Sequence, residues 1–476
     1  RCAYVVDLTL YTVESTAFTR QGSLVQIQPR TRNPFICYIY SSYTPVNRVE
    51  NKEETMAEMN VEKQQLLDSI EKDRDQLVQF FSDFVASPSP NPPGDTTVAV
   101  KHITDFLDLE ELPYRLIDPQ PTMANVVGTF EGANPGRHLV LNGHIDCFPV
   151  DKTDDRWSHG PWSGEVADGK VWGRGSSDMK CGTTASIFTF RYLHRYREKL
   201  HGRLTLTCVS DEETFGPWGA RYLHEHHPEV HGDCCLNGEP SSPYTIRFGE
   251  KGPLWLAFEI RTKGAHGAYT HQTESATKIA AALIQDLEAV TKVQPSMPDS
   301  VGRALDQARE EMDRAMGKGA ADIVPRVTLN IGLVQGGLKV NMVPNLVRVE
   351  ADIRLPVGVE KEQVISVVKQ VLEDYPQATM NEINSSPPSW CEPNHEMVEY
   401  LQKNANALGG YQPAPIVSLG GTDTRLWRYR NVPAFVYGPP PTGMGTYNEH
   451  VEIETFLHVV RCHVLSAYDY LSHAGS

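Results

Sequence analysis

Acidic and imidazole side chains follow the apolar runs of this sequence at widely separated points. The residues that share this placement, or lie in Gly-rich loops, are His144, Asp146, Asp178, Glu212, Glu213, Glu239 and His450. His144 follows the run HLVLNG, Glu212 lies just beyond LTLTCVS, and Glu239 lies just beyond CCLN. Because strand carboxyl ends line one crevice in an open α/β sheet, we expect these groups to meet there.

Crowding of carboxylates needs a physical reason, because they repel one another and are driven toward protonation unless a cation neutralises them. Two histidines with three or four acids and no thiolate suit zinc or a comparable divalent ion in a hydrolytic site. With Asp178 as a bridge, two ions about 3.5–4 Å apart could share a hydroxide and polarise a carbonyl. A carboxylate outside the metal shell could then take the proton of the water.

Each of these residues has a simpler interpretation when it is considered alone. His144 could be a hydrogen-bonded core histidine, and Asp178 could cap the helix that follows it. The acids after LTLTCVS could open a helix, where negative charge suits the helix dipole. The combination at successive strand ends is what favours a metal site.

The elements between these residues alternate between short apolar runs and helical periods. Buried strands are predicted at 138–143, 204–210, 234–237 and 433–438, and helices at 183–200, 217–226 and 396–408. An amphipathic helix is predicted over 61–86. This alternation predicts an α/β domain with a mostly parallel sheet, formed by residues 56–247 and 387–476.

Residues 248–386 interrupt that domain with a different pattern. Strands are predicted at 254–263, 327–334 and 346–355, and helices at 273–293 and 364–375. A strand, a helix, two or three strands, a helix and a strand predict an inserted α+β domain that resembles a ferredoxin-like sandwich.

Composition excludes several classes of protein. The 476 residues hold 60 acids and 44 bases, a net charge of −16, which lacks the electrostatic footprint of nucleic-acid binding. No apolar run reaches the roughly 18 residues of a membrane span. Nine cysteines without a Cys-x-x-Cys pair favour a reducing compartment. We therefore expect a cytoplasmic protein with no membrane partner.

Residues 1–55 differ from the rest of the chain. Positions 15–49 contain no Asp or Glu but four Arg. An acid-poor, Arg-bearing stretch is a feature of organelle transit peptides, although no amphipathic period accompanies it. We expect a disordered or wrongly assigned extension ahead of a start near Met56, with organelle targeting as the alternative.

The ordered motifs of the chain resemble those of one family of di-zinc metallopeptidases. NGHIDCFPV, GRGSSDMKCG, SDEETFG, GEP and NEHVEIE occur in the order found in the aminoacylase, acetylornithine deacetylase, succinyl-diaminopimelate desuccinylase and glutamate carboxypeptidase family. The resemblance covers residues 60–476. It implies an α/β catalytic domain with an inserted lid and dimerisation domain.

The resemblance also implies a role for each motif residue. It places His144 and Glu239 on one metal ion, Glu213 and His450 on the other, and Asp178 between both. Glu212 is implied as the general base, and Asp146 as the acid that orients His144. The two ions are expected to be zinc, with cobalt or manganese as alternatives.

Lid motifs carry further implied roles. His266, in GAHGAY, matches a family histidine that crosses the dimer to stabilise the tetrahedral oxyanion. Asn341 in VNMVPN and Arg354 in ADIRLP match positions that hold the substrate carboxylate in relatives. Arg354 could instead pair with a neighbouring acid. Thr422 lies in a Gly-Gly-Thr-Asp loop that lines the family pocket.

Together these observations predict a homodimeric, metal-dependent hydrolase. Its expected reaction is cleavage of the amide bond in an N-acyl amino acid or small peptide with a free carboxylate, through a metal-bridging hydroxide. A carboxypeptidase or dipeptidase of the same family is the alternative within enzymes. A non-catalytic binding protein on a decayed peptidase scaffold is the alternative from another class, but such a protein would have lost ligands and none is missing here.

Overall fold

The computed structural model describes residues 61–151 and 153–473. The prediction for residues 1–55 lies outside these described residues. Within them, no helix is both long enough and apolar enough to cross a bilayer.

Strands and helices alternate along most of the described chain. The strands are β1 (Tyr114–Ile117), β2 (Asn125–Glu131), β3 (Asn134–His144), β4 (Val166–Ala167), β5 (Lys170–Trp172), β6 (His201–Val209), β7 (Cys234–Asn237), β8 (Thr245–Glu250), β9 (Gly252–Arg261), β10 (Ala265–His266), β11 (Thr328–Gly336), β12 (Met342–Val343), β13 (Leu346–Leu355), β14 (Ala378–Ser385), β15 (Ser389–Trp390), β16 (Ala414–Ser418), β17 (Ala434–Val436) and β18 (His450–Glu452). The helices are α1 (Val61–Lys72), α2 (Arg74–Val85), α3 (Thr97–Leu109), α4 (Cys181–Arg195), α5 (Ala220–His226), α6 (Ala276–Asp286), α7 (Asp299–Gln307), α8 (Arg309–Met316), α9 (Ala320–Ile323), α10 (Lys361–Leu372), α11 (Glu396–Gly409), α12 (Thr424–Arg428) and α13 (Ile453–Leu471).

The largest sheet is mixed, with a parallel centre. Its nine strands run in the order β1-β2-β6-β3-β7-β17-β8-β15, and β16 also pairs with β8. The pairs β6·β3, β3·β7 and β7·β17 are parallel, whereas β1·β2, β2·β6 and β17·β8 are antiparallel. The central strands are the near-continuous apolar runs of the sequence, as buried parallel strands require. The predicted α/β fold class is confirmed, and antiparallel strands extend the parallel centre on both sides.

Helices cover this sheet and form the main core with it. Apolar residues of α1, α2, α3, α4, α11 and α13 share one buried cluster with Leu139, Leu141, Leu204 and Leu206 of β3 and β6. The single helix predicted over 61–86 is divided into α1 and α2 at Asp73. Asp73 accepts hydrogen bonds from Arg191 and Tyr192 of α4, so the break anchors both helices to α4.

The inserted lid is an antiparallel sheet with helices against one face. Its order is β11-β13-β9-β14, and alternate residues of β9 from Leu254 to Ile260 are buried. Helices α6 and α10 contribute Ala280, Leu283, Val364 and Val368 to the same cluster. Strand, helix, two strands, helix and strand in this order agree with the ferredoxin-like sandwich predicted from the sequence.

Helices α7 to α9 lie within the same stretch of sequence but pack elsewhere. Their buried residues belong to the main core rather than to the lid core: Val301, Ala304, Leu305, Ala308, Met312, Ala321 and Val324. Between positions 299 and 324, therefore, the chain leaves the lid and returns to the surface of the catalytic core.

Two buried charged residues lie at the connection between the large sheet and the lid sheet, where β8 is followed by β9. Glu250 accepts hydrogen bonds from the backbone N–H and hydroxyl of Thr422 and pairs with Arg428 at 3.1 Å. The next residue, Lys251, is also buried and donates to the carbonyls of Ile323 and Arg326. Each buried charge is thus compensated by fixed partners, as burial in a low dielectric demands.

The Arg428→Met variant is expected to lose about 3–5 kcal/mol of unfolding free energy, because it leaves Glu250 buried without its cation. The Glu250 and Arg428 side chains are 3% and 1% exposed. Denaturant unfolding followed by circular dichroism measures the loss. Arg74→Met is the matched control, since Arg74 pairs with Glu454 at the surface and should cost under about 1 kcal/mol. Equal losses in the two variants would contradict this account.

Candidate metal centre

Three neighbouring parallel strands deliver acidic or imidazole groups to one edge of the large sheet. β3 ends at His144, β6 ends at Val209 ahead of Glu212 and Glu213, and β7 ends at Asn237 ahead of Glu239. The strands lie in the order β6-β3-β7, so the three strand ends are adjacent. This adjacency is the one expected from their alternation with helices.

His144 is at the centre of the group and is 1% exposed. Its Nε2 lies 3.2 Å from Oδ1 of Asp178 and 3.3 Å from Oε1 of Glu239. Its Nδ1 lies 2.9 Å from the carbonyl oxygen of Asp146 and 3.6 Å from a carboxylate oxygen of the same residue. The backbone contact at Nδ1 orients the ring so that Nε2 faces the acids.

Two overlapping sets of ligand atoms surround His144. His144, Glu212 and Glu239 form one set, and His144, Asp178 and Glu213 form the other; within each set the ligand atoms lie within 4.8 Å of one another. Oε1 of Glu212 and Oε1 of Glu213 are buried without a hydrogen-bond partner. Buried carboxylate oxygens without donors fit divalent cations, which accept carboxylate and imidazole ligands together.

Asp146 holds the loop that carries Glu212 and Glu213. The buried Asp146 carboxylate accepts hydrogen bonds from the backbone N–H groups of Glu212 and Glu213, each at 3.2 Å. It also accepts one from Nδ2 of Asn91 at 2.9 Å, and that amide donates in turn to Asp211 at 3.0 Å. The backbone of Asp211 has φ = 70°, a left-handed conformation that reverses the chain directly before the two glutamates.

A second buried pair fixes Asp178. Glu449 pairs with Arg174 at 2.6 Å and accepts hydrogen bonds from the backbone N–H groups of Ser177 and Asp178. Asp178 precedes α4, which begins at Cys181 and has Gly182 in its first turn. A Cβ added to Gly182 would lie 2.0 Å from the carbonyl oxygen of Gly238, so only glycine lets α4 approach the end of β7 this closely.

His450 lies on β18, which pairs with β5 in a small three-stranded sheet. Its ring is 4.2 Å from that of Trp172, and its Nδ1 is 2.8 Å from the carbonyl of Asn448. Among the described residues, His450 is not a member of either close ligand set. Its role as a ligand stays a prediction, although the Nδ1 contact is of the kind that orients ligating imidazoles through Nε2.

The pKa values of these groups reflect a shortage of positive charge. Burial raises the pKa of Glu212 and of Glu213 well above the usual range, and nearby acids add to the effect. Burial, with the charge of Asp178, raises the pKa of Glu239 to about 7. Burial alone would lower the pKa of His144, but the carboxylates of Glu239 and Asp178 outweigh it and raise that pKa well above its usual value.

The predicted substrate-binding residues of the lid have partners within the chain. Arg354 pairs bidentately with Asp352, at 2.8 and 3.0 Å, which is the alternative interpretation left open by the sequence. His266 is exposed on β10, opposite Met342 of β12, and the carbonyl of the exposed Asn341 accepts a bond from Gly267. No described contact brings these residues to the ligand sets. Their roles in binding or catalysis stay predictions.

Thr422 is buried, and both its N–H and its hydroxyl bind Glu250. Arg425 lies three residues after Thr422, and its Nη1 is 3.5 Å from Oε1 of Glu212. Arg425 also donates to the carbonyl of Thr422 and covers the ring of Phe215 at 4.6 Å. Thr422 therefore acts in this structure as a support for the residue beside Glu212.

Several supporting residues were not identified from the sequence: Asn91, Arg174, Arg425 and Glu449. Glu449 stands beside His450 in NEH and could have been found from that motif. Arg174 lies in the motif GRGSSDMKCG and could have been found in the same way. Asn91 and Arg425 come from parts of the chain with no chemical motif, and only the folded arrangement brings them to the centre.

Comparison with known proteins agrees with this geometry. Residues 140–468 match the model of peptidase family M20/M25/M40. Succinyl-diaminopimelate desuccinylase of Cereibacter sphaeroides is 28% identical over 335 residues, which cover 68% of this chain and 80% of that protein.

Solved structures are similar in fold at lower identity. An M20 family metallo-carboxypeptidase of Sulfolobus solfataricus superposes with a TM-score of 0.71 at 18% identity, covering 83% of this chain and 99% of that one. Human carnosine dipeptidase 1 superposes with a TM-score of 0.66 at 16% identity, covering 86% and 99%. Because the family match spans more than half of the sequence and contains all the strand ends that form the centre, the chain belongs to peptidase family M20/M25/M40.

Proposed function

We propose that this chain is a two-metal hydrolase that cleaves the amide bond of an N-acyl amino acid or of a small peptide with a free carboxylate. The observation that carries the proposal is the buried cluster around His144, where carboxylates of Asp178, Glu212, Glu213 and Glu239 converge without enough positive charge. Membership in a family of peptidases and amidohydrolases supports the same reaction class.

Five residues are proposed as metal ligands: His144, Asp178, Glu213, Glu239 and His450. When bound, two divalent ions, zinc in the first instance, would supply Lewis-acid activation of the water and of the scissile carbonyl. Asp146 orients the His144 ring through the backbone and carboxylate contacts described above. Glu449 and Arg174 hold the backbone at Asp178.

Glu212 is proposed as the general base. Its carboxylate is buried at the centre, and Oε1 has no hydrogen-bond donor. Glu212 would take the proton of the attacking water and deliver it to the nitrogen that leaves. Arg425, 3.5 Å away, lies where it can hold the charged form in place.

We also propose that the enzyme is a homodimer that pairs through the lid. β11 is an edge strand of the lid sheet, and apolar side chains are exposed along it and in the following loop: Leu333, Val334, Leu338 and Val340. Leu338 is 85% and Val340 is 99% exposed. Exposed edge strands with apolar side chains favour pairing with another chain. In this arrangement the partner subunit's His266 would stabilise the oxyanion.

Glu212→Gln is expected to lower kcat by about 10²- to 10⁴-fold, because it removes the base while keeping the shape of the side chain. Metal content per chain, measured by inductively coupled plasma mass spectrometry, should stay at the wild-type value. Glu225→Gln changes an exposed glutamate of α5 and serves as the matched control. Wild-type turnover by Glu212→Gln would exclude Glu212 as the base.

Metal removal is expected to abolish hydrolysis, and zinc, cobalt or manganese should restore it at about two ions per chain. The substrate panel contains N-acetyl and N-succinyl amino acids, dipeptides and C-terminally free tripeptides, with amine release as the signal. Preference for N-acyl amino acids supports a deacylase, and preference for the peptides supports a dipeptidase or carboxypeptidase. A metal-loaded protein that hydrolyses no member of the panel would contradict the proposed function.

Val340→Asp is expected to shift the protein from dimer to monomer in sedimentation velocity, because it places a charge in the proposed apolar contact. Activity should fall with the loss of the dimer, while metal content should not change. Val98→Asp, at an exposed position of α3, is the control and should remain dimeric. A wild-type protein that sediments as a monomer at micromolar concentration would refute the pairing.

A further inference from the structure

The imidazole of His450 is held by a hydrogen bond at one of its two nitrogens. Its Nδ1 lies 2.8 Å from the carbonyl oxygen of Asn448. In the described part of the chain no group hydrogen-bonds to Nε2, so this nitrogen is available to a ligand from outside the chain. A single contact at Nδ1 leaves the ring free to tilt. Residues that limit this tilt therefore influence what Nε2 can bind.

The strand register places an indole ring beside this imidazole. Trp172 of β5 is directly opposite His450 of β18, and opposite residues project from the same face of a sheet. The two ring centroids are 4.2 Å apart, with 37° between the ring planes. The ring of His159 lies 4.4 Å from that of Trp172, at an angle of 24°. Trp172 thus contacts two imidazoles, one of which is the proposed ligand.

Hydrogen bonds at the ring edges hold this group in place. Nε1 of Trp172 donates to the carbonyl of Ala167 at 3.1 Å, and Nδ1 of His159 lies 3.2 Å from a carboxylate oxygen of Glu165. These contacts fix the edges of the two rings and leave their faces to pack. The strands β4, β5 and β18 are only two or three residues long, so the side-chain contacts add rigidity that backbone pairing alone would not give.

Ser158 fixes the position of the carbonyl that binds Nδ1. Oδ1 of Asn448 accepts hydrogen bonds from the backbone N–H and from the hydroxyl of Ser158, both at 2.8 Å. Asn448 has φ = 58°, a left-handed conformation that asparagine adopts more readily than most residues. Because Ser158 and His159 are consecutive, one segment of the chain contacts both Asn448 and Trp172.

This group lies beside the loop that carries Asp178. Gly173, directly after Trp172, donates its N–H to the carbonyl of Glu449 at 2.9 Å. The carboxylate of Glu449 accepts the backbone N–H of Asp178. His450 is therefore the neighbour of the residue that holds the proposed bridging ligand, and Trp172 contacts it from the opposite strand.

We propose that Trp172 is a positioning residue for His450, and that its ring contact fixes the imidazole plane and hence the direction in which Nε2 meets a metal ion. The lone pair of Nε2 lies in the ring plane, so a tilted ring directs it away from the ion. Loss of a partner that orients a ligating imidazole lowers metal affinity by about 10- to 100-fold. The inference rests on the proposed function, because it takes His450 as a ligand of one of the two ions.

Zinc titration of the chelator-stripped full-length chain, followed by calorimetry, tests this role. The wild type should bind two ions. Trp172→Leu should bind one ion with wild-type affinity and the other about 10- to 100-fold more weakly. Trp172→Phe should stay within about 3-fold of the wild type at both sites, because it keeps an aromatic ring against the imidazole.

A double-mutant cycle separates positioning from general packing. In the His450→Ala background, Trp172→Leu should change neither zinc affinity by more than about 2-fold, because the ligand that Trp172 positions is gone. If Trp172→Leu does not fold, Asn448→Gly gives the second test. It keeps the positive φ but removes the contacts from Ser158, and it should weaken binding of the same ion by about 10-fold.

Tyr222→Leu is the matched control. Tyr222 of α5 also lies against an imidazole, with its ring 4.4 Å from that of the exposed His226, and neither residue belongs to a close ligand set. Loss of this ring contact should leave both zinc affinities at the wild-type values.

Three outcomes overturn the proposal. One is binding of two ions by Trp172→Leu with wild-type affinity. Another is an equal loss of affinity with and without His450, because Trp172 would then act through the fold of the small sheet. The third is a loss in Trp172→Phe as large as in Trp172→Leu, which would assign the effect to the Nε1 bond with Ala167. Failure of the proposed function is distinct, because His450→Ala would then bind two ions as tightly as the wild type.

Discussion

The repulsion among buried acids at one sheet edge is the constraint on which the rest of the structure depends. Glu212, Glu213 and Glu239 converge on His144, and burial pushes each carboxyl toward its neutral form. Among the residues that the structure describes, His144 is the one imidazole in these close ligand sets, too little positive charge to balance the acids. Bound cations would stabilise the charged form of such a site, so the arrangement of these acids itself favours metal binding.

Much of the surrounding structure serves to keep these acids in place against their repulsion. Asp146 accepts the backbone N–H groups of two of the glutamates, and Glu449 accepts that of Asp178. The supporting carboxylates are themselves compensated, by Asn91 and by Arg174. The contacts that orient the proposed ligands are therefore hydrogen bonds to the backbone and buried side-chain pairs.

Local patterns predicted well those elements whose burial is uniform. The strand Cys234–Asn237 and the lid strand Leu346–Leu355 have the predicted bounds, because apolar runs and strict alternation define them without help from distant residues. The strand-end acids were predicted for the same reason, as they directly follow such runs. The choice between two roles of one side chain was not predictable: Arg354 could pair with Asp352, two residues before it, or bind a substrate, and no sequence spacing decides between them.

The return of α7 to α9 to the catalytic core has a consequence for motion. The lid is joined to the core by the strand connection at Glu250–Gly252, by the connection after Ser385, and by the packed segment that contains Leu305 and Met312. The third attachment is packed into the main core, so its contacts would have to break before the lid could turn widely about the two strand connections. Packing of this segment therefore opposes a wide hinge rotation of the lid and favours small displacements that leave Leu305 and Met312 buried.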